Sequence, residues 1–185
     1  MSEILIIIGA SIIVAIIWAI FKARSDKKKM DKKASEAGAI SAFTADHVEG
    51  IGLTSMAECD IYLFADKVLI DSFGRKFEIP LSRIRAAEFK SEQEIKEKSK
   101  TVAGRALIGT LLVPGLGTIV GGMSGIGNKK VKGETNFYLI INFIDSNGEL
   151  NGVTFRNNFN TLRGVTFSSK INQQLSATQQ DIVTL

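Results

Sequence analysis

Residues 136–157 read NFYLIINFIDSNGELNGVTFRN, and this stretch decides the fold class. Two runs rich in β-branched and aromatic residues, 136–145 and 150–157, flank the dipeptide Asn147-Gly148. Asn-Gly is a strong hairpin signal because both turn positions tolerate a positive φ. The stretch therefore predicts two antiparallel strands joined by a tight turn.

Three further strands are predicted upstream, in CDIYLFAD (59–66), KVLIDSF (67–73) and KFEIPLSRI (76–84). Each run is short, rich in apolar residues and bounded by Asp, Lys or Gly, which is typical of strands and turns. Downstream, residues 159–175 place apolar side chains at loosely helical spacing and predict a closing helix. The charged run 91–100, between the two groups of strands, predicts a solvated helix.

The N-terminal run 4–21 is uncharged, and as a helix it spans roughly 27 Å, close to a hydrocarbon core of about 30 Å. Residues 1–33 hold seven Lys or Arg against three acids, whereas residues 34–185 hold 16 of each. Because positive flanks stay in the cytoplasm, the sequence predicts a single-pass cell-membrane protein with the N-terminus outside and the C-terminal domain cytoplasmic. We expect residues 1–24 to form the transmembrane anchor with its basic flank, and residues 25–46 to form a linker.

The folded domain is predicted over residues 47–175, followed by a tail over residues 176–185. A Gly-rich apolar insertion, 102–128, lies inside the domain, and its stretch 106–126 carries no charge. Two interpretations of the insertion stay open. It forms a helical hairpin, bent at Pro114, that dips into the membrane, or it forms a hairpin buried against the domain's own sheet.

Two sets of residues are candidate contact sites. Gly117, Gly121 and Gly125 repeat every four residues on nearly one helix face, so we expect them to pack against a neighbouring helix. An aromatic ring and basic side chains of the N-terminal segment, with leucines of the insertion, are expected to contact the membrane. These membrane-contacting residues are Trp18, Lys22, Arg24, Lys27, Lys28, Lys29, Leu111, Leu112 and Leu116.

Several segments, in this order along the chain, carry a family resemblance. They are HVEGIGL (47–53), Cys59, DKVLID (66–71), FEIPLSRI (77–84), RALIGTLLVPGLGTIVGG (105–122) and NFYLIINF (136–143). Together they resemble a group of bacterial and phage pleckstrin-homology-like (PH-like) proteins that carry a Gly-rich apolar insertion. Relative to that group, the N-terminal membrane helix is an addition.

The resemblance covers roughly residues 46–175. It implies an α+β fold, namely a mostly antiparallel PH-like small barrel or sheet with a C-terminal helix, here combined with the helical-hairpin insertion and the transmembrane helix. It implies no activity, because such small barrels host many different binding functions.

The sequence offers no complete motif for catalysis, a cofactor or a metal. In GMSGIGNK (122–129), Asn128 occupies the position where a nucleotide-binding P-loop has its Lys. His47 is the single histidine and Cys59 the single cysteine, whereas a protein-only zinc site takes about four ligands. We therefore expect no catalytic residues, no cofactor and no metal site.

The expected function is that of a non-enzymatic, membrane-anchored PH-like module that binds a protein partner or lipid at the cytoplasmic face. The alternative is a membrane-active protein of phage or toxin type, which inserts the Gly-rich hairpin into the bilayer or permeabilises it. The expected partners are membrane lipids and a protein, and a homo-oligomer is left open. Nucleic acid is not expected, because the excess positive charge lies beside the N-terminal apolar run and not on the folded domain.

Overall fold

The structure is a computed structural model that describes residues 2–100, 107–108, 111–112 and 135–180. The fold is α+β, with an antiparallel sheet and a C-terminal helix. In chain order its elements are α1 (Ser2–Ala37), β1 (Ser41–Glu49), β2 (Glu58–Leu63), β3 (Lys67–Ser72), β4 (Arg75–Pro80), a 3-10 turn (Leu81–Arg83), β5 (Ile84–Ser91), α2 (Glu92–Lys100), β6 (Leu107–Ile108), β7 (Leu111–Leu112), β8 (Phe137–Ile144), β9 (Leu150–Arg156) and α3 (Thr161–Gln180).

Seven strands form one sheet in the order β4-β3-β2-β1-β9-β8-β5, and each neighbouring pair is antiparallel. Strand β1 joins the two halves of the sheet, because Phe43 pairs with Ile61 of β2 and His47 pairs with Phe155 of β9. Strands β4 and β5 form the edges. Burial alternates along β2 and β3, since successive side chains of a strand point to opposite faces.

The main core lies on one face of the sheet, beneath α3. Phe167 and Ile171 of α3 are fully buried there. Phe43 stacks on Phe167 with ring centroids 5.6 Å apart, and it meets Phe89 of β5 edge-on at 6.2 Å. Aromatic pairs in such arrangements contribute about 0.5–1.5 kcal/mol beyond the burial of their area. Ring contacts therefore hold α3 against β1, and β1 against β5.

The C-terminal end of α1 packs on the opposite face of the sheet. Ala34 is buried there, and Lys33 Nζ lies 2.7 and 2.6 Å from the two carboxylate oxygens of Asp60 in β2. Thr44 Oγ1 of β1 donates a hydrogen bond of 2.6 Å to the same carboxylate. One aspartate therefore ties α1 to two neighbouring strands.

Helix α2 covers another part of this second face. Ile95 is buried against Tyr138 and Ile140 of β8, and Val48 and Ala86 pack around the cluster. Strand β6 contacts α2, and β7 contacts β9. The sheet is therefore covered on one face by α3 and on the other by α1 and α2.

Helix α1 differs from the predicted membrane anchor. Among the residues that the structure describes, no helix is both long enough and apolar enough to cross a membrane. The transmembrane anchor predicted over residues 1–24, and the single-pass location with the N-terminus outside and the C-terminal domain cytoplasmic, are therefore wrong. The apolar run 4–21 is the first half of a 36-residue helix whose second half is rich in Lys and Asp and packs on the sheet through Ala34. The predicted linker, 25–46, contains the end of this helix and the start of β1.

The insertion also differs from the helical hairpin predicted for it. Residues 107–108 pair with residues 111–112 as the short antiparallel strands β6 and β7. A helical arm leading to a bend at Pro114 needs helical backbone at these four positions. The residues between the two strands, Gly109 and Thr110, are poor helix formers. The rest of the predicted hairpin, including Pro114, lies outside the described residues.

Gly50 follows β1 at a point where the backbones of β1 and β9 come very close. Its φ is +115°, and a Cβ at this position would lie 2.1 Å from the carbonyl oxygen of Gly152 and 2.7 Å from Val153 Cα. Side chains rarely adopt this φ, and backbone atoms cannot move aside cheaply. The junction of the two half-sheets therefore requires glycine.

We predict that Gly50→Ala lowers the free energy of unfolding by about 2–4 kcal/mol, through backbone strain and steric overlap. Gly52→Ala is the matched control, because a Cβ at Gly52 meets nothing within 4 Å. Its expected effect is within about 0.5 kcal/mol. Urea unfolding of both variants checks this prediction, and equal stability of the two would contradict the close approach at Gly50.

His47 is a buried polar residue at the centre of the sheet, with a side chain that is 1% exposed. Its Nδ1 lies 3.2 Å from the Thr54 carbonyl oxygen, so we assign the proton to Nδ1 as the donor. Nε2 is buried without a hydrogen-bond partner among the described residues, and the ring meets Phe155 edge-on. Burial lowers the pKa of His47, although the Thr54 carbonyl and Glu49 act in the opposite direction.

This lowered pKa predicts a pH dependence of stability. The unfolded chain takes up the proton near the ordinary pKa of about 6.5, whereas the folded chain resists it until lower pH. Stability is therefore full above about pH 6.5, falls as the pH drops toward the folded-state pKa, and levels off below it. We expect the loss in free energy of unfolding between pH 7.5 and 5.5 to be smaller in His47→Gln. An identical loss in the two proteins, by urea unfolding, would rule out His47 as the cause.

Candidate functional site

An open groove of about 740 Å³ lies between edge strand β5 and helix α3. We call it the β5–α3 groove. Its lining residues come from the second half of β5 and from the side of α3 that faces this edge. They are Ala87, Glu88, Phe89, Lys90, Val165, Ser168, Ser169, Asn172, Gln173, Ser176 and Ala177.

Local sequence determines the residue at which α3 begins and the side of the helix that packs on the sheet. Asn160 precedes the helix, and its Oδ1 accepts a hydrogen bond of 3.3 Å from the Arg163 N–H, as an N-cap residue does. Phe167 and Ile171, four residues apart, lie on the same face of the helix and point into the core. The small polar residues between and after them on α3 do not point into the core, and they line the groove.

Gly164 lets the first turns of α3 approach β5 closely. A Cβ at Gly164 would lie 2.3 Å from Cε2 and 2.5 Å from Cζ of the Phe89 ring. No real side chain tolerates such a distance, so the ring occupies the space that glycine leaves. The contact fixes the separation of α3 and β5, and with it the width of the groove at this end.

The groove runs along edge strand β5, whose outward backbone groups are mostly satisfied. Asn172 Oδ1 accepts from the Ala87 N–H at 3.0 Å, and Asn172 Nδ2 donates to the Ala87 carbonyl at 2.8 Å. Glu94 accepts from the Ser91 N–H at 2.7 Å. The backbone N–H and C=O groups along an edge strand point alternately toward the neighbouring strand and away from it. The groups of Phe89, midway between Ala87 and Ser91, therefore point away from β8. Within the described part of the chain, nothing bonds to Phe89 on that side.

The groove carries almost no net charge. Lys90 Nζ forms an ion pair of 2.8 Å with Glu88, and these are the two charged residues among its lining residues. The side chains from α3 are uncharged, and most are hydrogen-bonding residues: Ser168, Ser169, Asn172, Gln173 and Ser176. The site therefore suits a ligand with uncharged polar groups and does not suit a phosphate or a charged headgroup.

One end of the groove opens onto an exposed apolar surface. Phe159 and Leu162 are 98% and 78% exposed, and Val165, which lines the groove, is 52% exposed. Beside them Phe89 stacks on Phe137 with ring centroids 6.0 Å apart and planes nearly parallel. Large apolar side chains exposed on one stretch of surface often mark an interaction site.

None of the predicted site residues that the structure describes lines this groove. Trp18 is exposed on α1 with Lys22 Nζ 5.2 Å from its ring centroid, and Leu111 and Leu112 form β7. The membrane contact predicted for these residues stays a prediction. The other predicted basic residues, all exposed on α1, are Arg24, Lys27, Lys28 and Lys29. Leu116 and the three glycines of the predicted packing face, Gly117, Gly121 and Gly125, lie outside the described residues.

His47 and Cys59, weighed as catalytic or metal-binding candidates in the sequence, are both buried in the sheet. Burial raises the pKa of the Cys59 thiol, so the thiol stays protonated and unreactive near neutral pH. No group of three His, Cys, Asp or Glu side chains that could hold a metal occurs in the described ranges.

Sequence reasoning missed every groove residue, because small polar residues on a helix carry no motif. The one usable signal was Gly164, a glycine inside a predicted helix, which marks a close approach. In comparisons with known proteins, no family model and no curated protein matches this chain.

Proposed function

We propose that the chain is a non-enzymatic binding module of PH-like fold that holds an uncharged segment of a protein partner in the β5–α3 groove. The strand order β4-β3-β2-β1-β9-β8-β5, followed by a C-terminal helix, supports the PH-like assignment. The observation that carries the binding role is the groove itself, which combines an apolar end with a neutral polar wall.

A protein segment fits these features better than a lipid headgroup does. A phosphate needs unpaired Arg or Lys side chains or several converging N–H groups. Lys90 is the lone cation among the groove's lining residues, and Glu88 neutralises it. A peptide supplies backbone amides for the Ser, Asn and Gln side chains and apolar side chains for the surface around Val165. Such pockets use apolar contacts for affinity and a few polar groups for orientation.

The test is selection from a display library of random nonapeptides against the full-length chain. We expect enrichment of peptides with few charges and at least one large apolar residue. Val165→Glu is expected to weaken the selected peptides tenfold or more, because it places a charge at the apolar end of the groove, and tenfold corresponds to about 1.4 kcal/mol. Fluorescence anisotropy measures the affinities.

Phe73→Glu is the matched control. Phe73 is 89% exposed at the β3–β4 turn, outside the groove, so the same substitution there should leave peptide affinity unchanged. Glu is a good helix former, so Val165→Glu is expected to remain folded. If no peptide is enriched, or if both variants weaken binding equally, the groove is not the binding site.

A further inference from the structure

Two large apolar side chains are exposed at one end of the sheet, and both belong to residues with a strained backbone. Met56, between β1 and β2, is 47% exposed and has a φ of +70°. Phe73, in the β3–β4 turn, is 89% exposed and has a φ of +51°. In the described part of the chain, these are the two non-glycine residues with a positive φ. Bulky residues rarely adopt this conformation, and such strain gathers at functional sites.

Hydrogen bonds hold both residues in place. The Met56 N–H donates to the His47 carbonyl oxygen at 2.7 Å, which fixes the loop to the buried part of β1. Ser72 Oγ, next to Phe73, donates to the carbonyl oxygen of Glu58 at 2.8 Å and ties the turn to the start of β2. Side chains presented on a fixed backbone lose less entropy when they bind a partner.

The surface around these two side chains is acidic. The β1–β2, β3–β4 and β8–β9 connections lie at the same end of the sheet, because every neighbouring pair of strands is antiparallel. Residues 49–58, 71–76 and 145–149, which we call the acidic loop end, together carry five carboxylates and two basic side chains. Exposed apolar groups within a negative field suit a partner that is both apolar and basic, and they disfavour an anionic lipid.

Helix α1 displays the complementary chemistry. Residues 22–29 carry five basic side chains and one acidic side chain. Lys28 is exposed and forms no ion pair within the described ranges. Close to this basic stretch, Trp18 and Phe21 are 64% and 74% exposed. Phe21 and Lys28 are seven residues apart and therefore share one face of the helix. This face of α1 combines aromatic rings with positive charge.

The aromatic and basic face of α1 is not used by the helix's own domain. The contacts of α1 with the sheet come from its C-terminal end, where Ala34 is buried and Lys33 pairs with Asp60. Trp18 and Phe21 stay exposed in the same chain. A second copy can therefore reach this face without displacing any described contact.

We propose that the acidic loop end of one copy of this chain binds α1 of a second copy, over residues 18–29. Met56 and Phe73 then contact the aromatic rings of α1, and the surrounding carboxylates pair with its lysines. The occupant is a second copy because the chain itself displays the complementary surface. Since two different surfaces meet, repeating the contact joins copies into a closed ring or an open chain. This inference goes beyond the proposed function and leaves the β5–α3 groove free.

Sedimentation velocity of the full-length chain over a range of concentrations measures this association. Phe73→Glu is expected to raise its dissociation constant at least tenfold, because it removes the ring and adds a charge of the wrong sign. Phe73 is exposed, so the variant is expected to fold. Val165→Glu, in the groove, is the matched control and should leave the association unchanged.

Phe73→Gly separates a binding role from a structural one. Glycine adopts a positive φ without steric cost, so this variant should raise the urea midpoint of the dilute, unassociated protein. The same variant lacks the ring and should weaken association. Greater stability together with weaker association is the result expected of a residue whose strain serves binding.

Charge reversal tests which surfaces meet. One variant carries Glu49→Lys and Glu58→Lys, and the other carries Lys27→Glu, Lys28→Glu and Lys29→Glu. Each variant alone presents like charges on both surfaces and should stay monomeric. When the two are mixed in equal amounts, the reversed loop end of one faces the reversed helix of the other, and association should return.

The results decide the proposal without reference to peptide binding in the groove. Association that is weakened by Phe73→Glu and by each charge reversal, and that returns on mixing, supports it. A chain that stays monomeric at every concentration overturns it. Association that survives Phe73→Glu, or that fails to return when the two charge variants are mixed, also overturns it, because the copies then meet through other surfaces.

Discussion

The close approach of Gly164 to the Phe89 ring is the constraint on which the rest of the structure depends. A Cβ at this position would overlap the ring at 2.3 Å, so any larger residue there requires the ring or the helix to shift. The ring in turn meets Phe43 edge-on and stacks on Phe137, and Phe43 stacks on Phe167. The contact between Gly164 and the Phe89 ring therefore positions α3 over the core. On the other side of the helix it leaves the β5–α3 groove open.

Parts of the fold were predictable because their signals are local. The hairpin of β8 and β9 follows from Asn147-Gly148, although of these two residues Gly148 alone has a positive φ, +84°. Strand β1 was assigned to a linker because SAFTADHVE is rich in small and polar residues, although it is the strand that joins the two halves of the sheet. Its small residues are needed there, because it is packed between helices on both faces. Strand β5, IRAAEFKS, was not predicted for a related reason, since its alanines face packed helices.

Other features depend on contacts between distant residues, and no local pattern carries them. The apolar run 4–21 was interpreted as a separate anchor, but α1 continues to Ala37 and is fastened by Lys33 to Asp60, 27 residues away. In the same way Asn172 meets Ala87 across 85 residues of sequence. A polar residue in a surface helix carries no signal until the strand beside it is known, so the groove could not be predicted from the sequence.

A double-mutant cycle of Gly164→Ala and Phe89→Ala, by urea unfolding of the full-length chain, tests this contact directly. With Phe89 present, we expect Gly164→Ala to destabilise the protein by about 1–3 kcal/mol, because overpacking forces the ring or the helix to move. With Phe89→Ala, which lacks all three overlapping ring atoms, the same substitution should become neutral or stabilising by up to about 1 kcal/mol, because Ala favours the helix over Gly. An effect of Gly164→Ala that is the same in both backgrounds would contradict the claim that this contact sets the position of α3.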